Sequence, residues 1–279
     1  MKRQTFNLYD HDRHDPMGSY TDSVRVGNTI YLGGQCGYDI QTLAPVHKTD
    51  FEAQAVKTFE NIEVLLNHYG TDCSALVSTV TWLVNPKDEA IFKAVRQRFV
   101  RKSAVAGTGY VARLAWPDFL LEVCAVAHID SHAASDRDAG AARPPLRKSI
   151  RLRETADPSY ADAVVTGTTI YIAGQTGTDP TTGRIVEGGF DTQMHRLMKN
   201  VGAILEQAGT DYSSIVQAIG YVLRPEDYDR YTQIRGEYVR PSKLPGTCVM
   251  PRSLLGHTPT VGEPEPLIKL VLVADTAPA

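Results

Sequence analysis

The chain has 279 residues, 42% hydrophobic and 22% charged, with a formal net charge of −3, enough for two domains that each bury a core. That balance offers no footprint for nucleic acid, whose binders carry a basic patch; the basic clusters RQRFVRK (Arg96 to Lys102) and RPPLRKSIRLR (Arg143 to Arg153) read as solvated helix surface and linker. With no run near the ~18 apolar residues of a membrane span, no apolar leader and four singly placed cysteines (Cys36, Cys73, Cys124, Cys248), no membrane association is expected, and a reducing, cytoplasmic compartment is.

In chain order, VRVGNTIYLGG alternates apolar and polar residues and turns at Gly27-Asn28, a hairpin signal. From Phe51 the apolar positions 51, 55, 59, 62, 66 and 69 are spaced by three and four, one face of a helix that Gly70 closes. LVSTVTWLV, from Leu76, reads as a strand, and a second helix starts at Asn85-Pro86, where proline suits the first turn. GYVARLA, from Gly109, and FLLEVCAVAHI, from Phe119, read as two further strands. The unit is ββαβαββ, an antiparallel sheet with helices on one face, hence α+β.

The unit is then written again. SYTDSVRVGNTIY, from Ser19, meets SYADAVVTGTTIY, from Ser159, at an offset of 140; after a one-residue deletion an offset of 139 holds. Phe190, Met194, Met198, Val201, Leu205 and Ala208 repeat the first helix's apolar face, Gly209 repeats Gly70, and Gly246-Thr247 repeats Gly107-Thr108. The boundaries read as domain 1 over 18–130, a linker over 131–157 and domain 2 over 158–275.

Tyr20, Gly27-Asn28, GGQ (Gly33 to Gln35), the helix from Phe51 with Gln54, GTD (Gly70 to Asp72) and LLEVCAVA (Leu120 to Ala127) together resemble the Rid (YjgF-type) family of enamine and imine deaminases. Tyr160, Gly174-Gln175 and GTD (Gly209 to Asp211) repeat the resemblance. It implies a chorismate-mutase-like domain that assembles around three-fold barrels with pockets between neighbouring domains. A tandem chain is therefore expected to form a homo-oligomer of three chains or a multiple of three.

The resemblance implies that Glu122 holds a water and relays a proton. Tyr20, Gly34, Gln35, Gly107, Thr108, Tyr160, Gly174, Gln175 and Lys269 are carried over as substrate-binding positions. Read from the residues alone, Gly33-Gly34 is either a close approach to a ligand or a bulge where a barrel strand bends. Glu122 shares a strand face with Cys124 and is either a site carboxylate or a paired or solvated one. Lys269 stands where Glu122 aligns and is an anion anchor, an amine nucleophile or a snorkelling side chain.

The family's anchoring arginine is absent: Gly107 and Gly246 stand in its place, so 2-aminoacrylate-type enamines are expected to be poor substrates. Arg113 and Arg252 lie six residues on, roughly 20 Å of strand, too far to substitute within one pocket. The Pro-rich loop from Gly256 is a lid or a surface insertion. Cys124 and Cys248 read as packing residues rather than nucleophiles. HDRHD (His11 to Asp15) and HIDSH (His128 to His132) lack a third ligand, so no metal is expected, nor any other cofactor. The reading is a hydrolase of small imines, enamines or related carbonyl or carboxylate metabolites, with a non-catalytic metabolite-binding protein as the alternative. A ribonuclease is disfavoured by the acidic balance.

Overall fold

A computed structural model describes residues 3–9, 20–100, 103–129, 147–239, 246–251, 253–254 and 264–277. Several sequence features lie outside these residues: HDRHD, Arg101-Lys102, His132 of HIDSH, linker residues 131–146, Arg252 and loop residues 256–263. The chain divides into two compact units, the first of residues 1–105, 112–147 and 157–159, the second of 106–111, 148–156 and 160–279.

The first unit contains β1 (Arg3–Phe6), β2 (Ser23–Val26), β3 (Thr29–Gln35), α1 (Phe51–His68), β4 (Leu76–Leu83), α2 (Glu89–Val100) and, after β5 (Val105–Val111), β6 (Leu121–His128). Its strands lie in the order β1-β2-β3-β6-β4, each neighbouring pair antiparallel. Val26 pairs with Thr29 around a two-residue turn whose Gly27 has φ 60°, the left-handed conformation glycine adopts freely. Asp50 caps α1 by accepting the Ala53 N–H, and Gly70 (φ 78°) ends it. The expected apolar face is the buried one: Phe51, Ala55, Phe59, Ile62 and Leu66 are all at most 7% exposed. Phe59 stacks on Phe99 at 5.2 Å, joining α1 to α2.

The second unit repeats the order with β7 (Arg147–Ile150), β8 (Tyr160–Ala161), β9 (Ala163–Thr166), β10 (Thr169–Gln175), α3 (Gly189–Gln207), β11 (Ile215–Val222), α4 (Tyr228–Val239), β12 (Gly246–Val249), β13 (Ser253–Leu254) and β14 (Ile268–Asp275). Its sheet runs β7-β9-β10-β14-β11-β12, with β12 parallel to β11. Met194, Met198, Val201 and Leu205 on α3 form its core with Ile170, Leu270 and Leu272. Most of β5 groups with this unit, pairing antiparallel with β13 (Leu254↔Tyr110). Two differences from the sequence expectation stand out. β5 starts at Val105, four residues earlier than read, because alternation begins at Val105-Ala106 with Gly107 tolerated inside the strand; it stops at Val111, short of Arg113. β7 lies inside the span read as linker, where an arginine-rich composition masked a four-residue strand.

Candidate functional site

The Gly-Gln step begins in the backbone. β3 pairs with β6 in continuous register through Leu32↔Ala125, then shifts before Gln35↔Val123, a bulge at Gly33-Gly34. β10 shifts against β14 between Ile172 and Gln175 in the same way. Asp22 secures the bulge: its carbonyl accepts the Gly33 N–H (2.8 Å), its carboxylate accepts the Leu8 N–H (2.8 Å) and the Gln35 Nε2 (3.2 Å). Tyr38 donates to Gln35 Oε1 at 3.0 Å. Gln35 is fully buried, so its amide faces Asp22 and Tyr38. Asp162 repeats the arrangement, accepting from Leu152 N, Gln175 Nε2 and the Tyr160 hydroxyl.

On β6, Leu121, Val123, Ala125 and Ala127 face the core while Glu122 and Cys124 emerge half-buried on the other side. Glu122 lies over Gly34: a Cβ there would stand 2.8 Å from the Glu122 Cδ. The missing side chain thus makes room for the carboxyl. The Tyr20 hydroxyl donates to the Gly34 carbonyl at 3.4 Å.

These residues border a cavity of about 230 Å³ whose described lining belongs wholly to the first unit. Glu122, Gly34 and Tyr20 form part of the wall; Asp22, Cys36 and Tyr38 continue it; Tyr9, Leu114, Trp116 and Phe119 complete the rim. Burial pushes the Glu122 carboxyl above its ordinary pKa. Burial, reinforced by Asp22, pushes the Tyr20 hydroxyl up, keeping it a donor. The Cys36 and Cys124 thiols are also raised by burial and then by Glu122, Cys124 to about 11, so both are protonated at neutral pH.

The second unit treats the equivalent positions differently. Trp82 pairs with Glu122, and Tyr221, its repeat counterpart, pairs with Lys269. Lys269 is only 3% exposed. Its stem lies against Gly174, where a Cβ would come 2.6 Å from the Lys269 Cδ and 2.8 Å from the Thr108 Cγ2. Its ammonium donates to the Gly109 carbonyl (3.2 Å) and sits 5.4 Å from the centre of the Tyr110 ring, which stacks on Tyr221 at 4.0 Å. Thr108 Oγ1 accepts the Gly174 N–H at 2.8 Å.

The sequence-derived residues therefore separate. Tyr20, Gly34 and Glu122 meet at the cavity with Gln35 behind them, whereas Thr108, Gly174 and Lys269 meet in the second unit, beside the strand that carries Gly107. Tyr160 and Gln175 hold Asp162. Sequence reasoning did not single out Tyr9, Asp22, Tyr38, Trp116 or Phe119. Asp22 had one available signal, its recurrence as Asp162 two residues after the repeated tyrosine. Among the described residues no group of three His, Cys, Asp or Glu side chains is placed to hold a metal, and no helix is long and apolar enough to cross a membrane.

The model of the family described as Endoribonuclease L-PSP matches residues 11–129 and again 152–261. A RutC family protein from Pyrococcus abyssi is 36% identical over 84 residues, 30% of this chain and 66% of that protein. The human 2-iminobutanoate/2-iminopropanoate deaminase is 35% identical over 81 residues, 29% of this chain and 59% of its own length. The chain thus spans less than two thirds of each of these relatives. A Rid family protein from Yersinia pestis superposes with a TM-score of 0.41 at 22% identity, covering 47% of this chain and 99% of that one. With both halves matching one family model and both folding in the same order, the chain belongs to the Endoribonuclease L-PSP, or Rid/YjgF-type, family as a tandem pair of α+β domains.

Proposed function

We propose that the first unit carries a hydrolytic site for a small imine or enamine with Glu122 as its general base, a reading carried by the half-buried Glu122 carboxyl over Gly34 at a cavity of about 230 Å³. An enamine first takes a proton at carbon from the protonated Glu122 carboxyl, giving the iminium and the carboxylate. Water then adds to the C=N carbon as Glu122 accepts one of its protons, and the carboxyl returns that proton to nitrogen. The C–N bond breaks, the hydroxyl proton leaves to the carboxylate, and a carbonyl compound and ammonia depart. A carboxyl whose pKa burial raises above its ordinary value is the better suited to give a proton as well as take one. The deaminase names of the relatives support the reaction class.

Assembly into three chains, or a multiple of three, belongs to the same proposal. Thr247, the repeat counterpart of Thr108, is exposed on β12 beside Val249 and Met250, themselves 45% and 49% exposed. A neighbouring copy's Thr247 would close on Gly34 as Thr108 closes on Gly174, making the pocket an inter-domain one. The site near Lys269 is then a packed or binding remnant, and the protein works in the cytoplasm, as its single cysteines suggest. A second reading, a non-catalytic metabolite-binding protein, is favoured by Gly107 and Gly246 at the arginine position.

The test is ammonia release from imines generated in situ. Glu122→Gln keeps the shape and is expected to cost about 10²-fold in turnover, while Lys269→Met stays within a few fold. Activity that survives the first change and collapses with the second inverts the assignment. Saturable binding without turnover by the unaltered protein on any imine supports the non-catalytic reading.

A further inference from the structure

We infer that the first unit's cavity takes an apolar ligand that is cationic or neutral at its reacting end, an imine or iminium of a simple amine, and rejects ligands bearing a carboxylate. This rests on the proposal that the Glu122 cavity is the substrate site, and adds the class of compound that fits it.

The lining carries the argument. Five rings border about 230 Å³: Tyr9, Tyr20, Tyr38, Trp116 and Phe119. The two charged groups are both acids, Asp22 and Glu122, and no lysine, arginine or histidine belongs to the described lining. Asp22 is committed to Leu8 and Gln35, which leaves Glu122 as the charge a ligand meets. Ring faces carry negative potential and attract cations. An anion would approach Glu122 and those faces without a compensating cation. The Tyr20 hydroxyl is directed to the Gly34 carbonyl.

The rim points the same way. Trp116 is 61% exposed and Tyr20 42%, so two rings stand in water at the mouth of a ring-lined hollow, placed to close over an apolar body. A carboxylate thus has no cationic partner in the described lining of this cavity.

The probes are three soluble compounds of one shape: phenethylammonium, 2-phenylethanol and phenylacetate, titrated calorimetrically into the full chain at neutral pH. The expected order is phenethylammonium, then 2-phenylethanol, then phenylacetate, with about tenfold or more between the first and last. Glu122→Gln should shrink that ratio to a few fold while 2-phenylethanol affinity stays within about twofold. Trp116→Leu, on an exposed side chain that tolerates replacement, should weaken the cation and the alcohol together. Phenylacetate binding as tightly as phenethylammonium, a ratio unmoved by Glu122→Gln, or no binding of any probe at millimolar concentration overturns the inference. The expected order without imine turnover would remove the hydrolytic proposal and leave this one; Glu122-dependent turnover with the reverse order would remove this one alone.

Discussion

Glu122 and Lys269 occupy the same position on the same strand of two copies of one fold, each crossing a glycine at a bulge in the neighbouring strand. The glutamate looks into a cavity lined with rings; the lysine lies flat between Gly174, Thr108 and Tyr110, its ammonium on a backbone carbonyl. The bulge and its Asp–Gln support are common to both. What differs is whether the space beyond the glycine is open or filled. A duplicated scaffold can thus keep the backbone of the bulge in both copies and leave open space beyond it in only one, because bulge geometry and side-chain occupancy are set by different residues.

The largest expected effect tests how independently the copies have diverged. Arg96 on α2 is 5% exposed and paired with Asp157, also held by Ser159; its counterpart Arg235 lies over the Tyr231 ring at 4.9 Å. Arg96→Met takes the cation from a half-buried carboxylate that keeps its Ser159 and Gln97 hydrogen bonds, and should cost about 2–3 kcal/mol in chemical denaturation, whereas Arg235→Met should cost about 1 kcal/mol or less. Burial alone would raise the Asp157 pKa, but Arg96 and hydrogen bonds from Ser159 and Gln97 outweigh it, so the folded value lies below the ordinary 3.8. A depressed carboxylate stabilises the fold above 3.8 and loses that contribution as pH falls through the lowered value. Arg96→Met should flatten this acid limb; equal losses for the two arginines would break the contrast.

A middle effect separates the two glycines. Gly174→Ala drives a Cβ to 2.6 Å from the stem of a buried lysine and should destabilise by about 1–3 kcal/mol. Gly34→Ala meets a half-buried carboxyl that can swing toward the cavity, so it should cost less stability while abolishing whatever activity depends on Glu122. Thermal melts and activity on both variants decide this, and a larger stability loss at Gly34 would contradict an open site.

The smallest effect concerns Glu122 itself. Its folded pKa is raised by burial, so relative to the unfolded chain the ionised form is disfavoured above the ordinary 4.5. Glu122→Gln should therefore raise Tm slightly at neutral pH, with the gain fading as pH falls from the raised value toward 4.5 and gone below it. A gain that persists in acid would trace to packing rather than charge.

The repeat, the order ββαβαββ, the buried face of α1 and its closing glycine were all legible in the residues, because helix and strand periods and left-handed glycine caps are local properties of a few neighbouring positions. Alternation on β6 likewise placed Glu122 off the core face. Of the two readings of Gly33-Gly34, the bulge is the one the register shows, and the space left by the missing Cβ is taken by Glu122. Tertiary structure alone decided the rest. Tyr9 and Trp116 reach one cavity from loops more than a hundred residues apart, without any period to announce them. Residues 106–111 joined the unit of the later repeat, placing Thr108 on Gly174. Sequence spacing records which way a side chain leaves its own strand; which space it enters depends on what the chain brings to the other side.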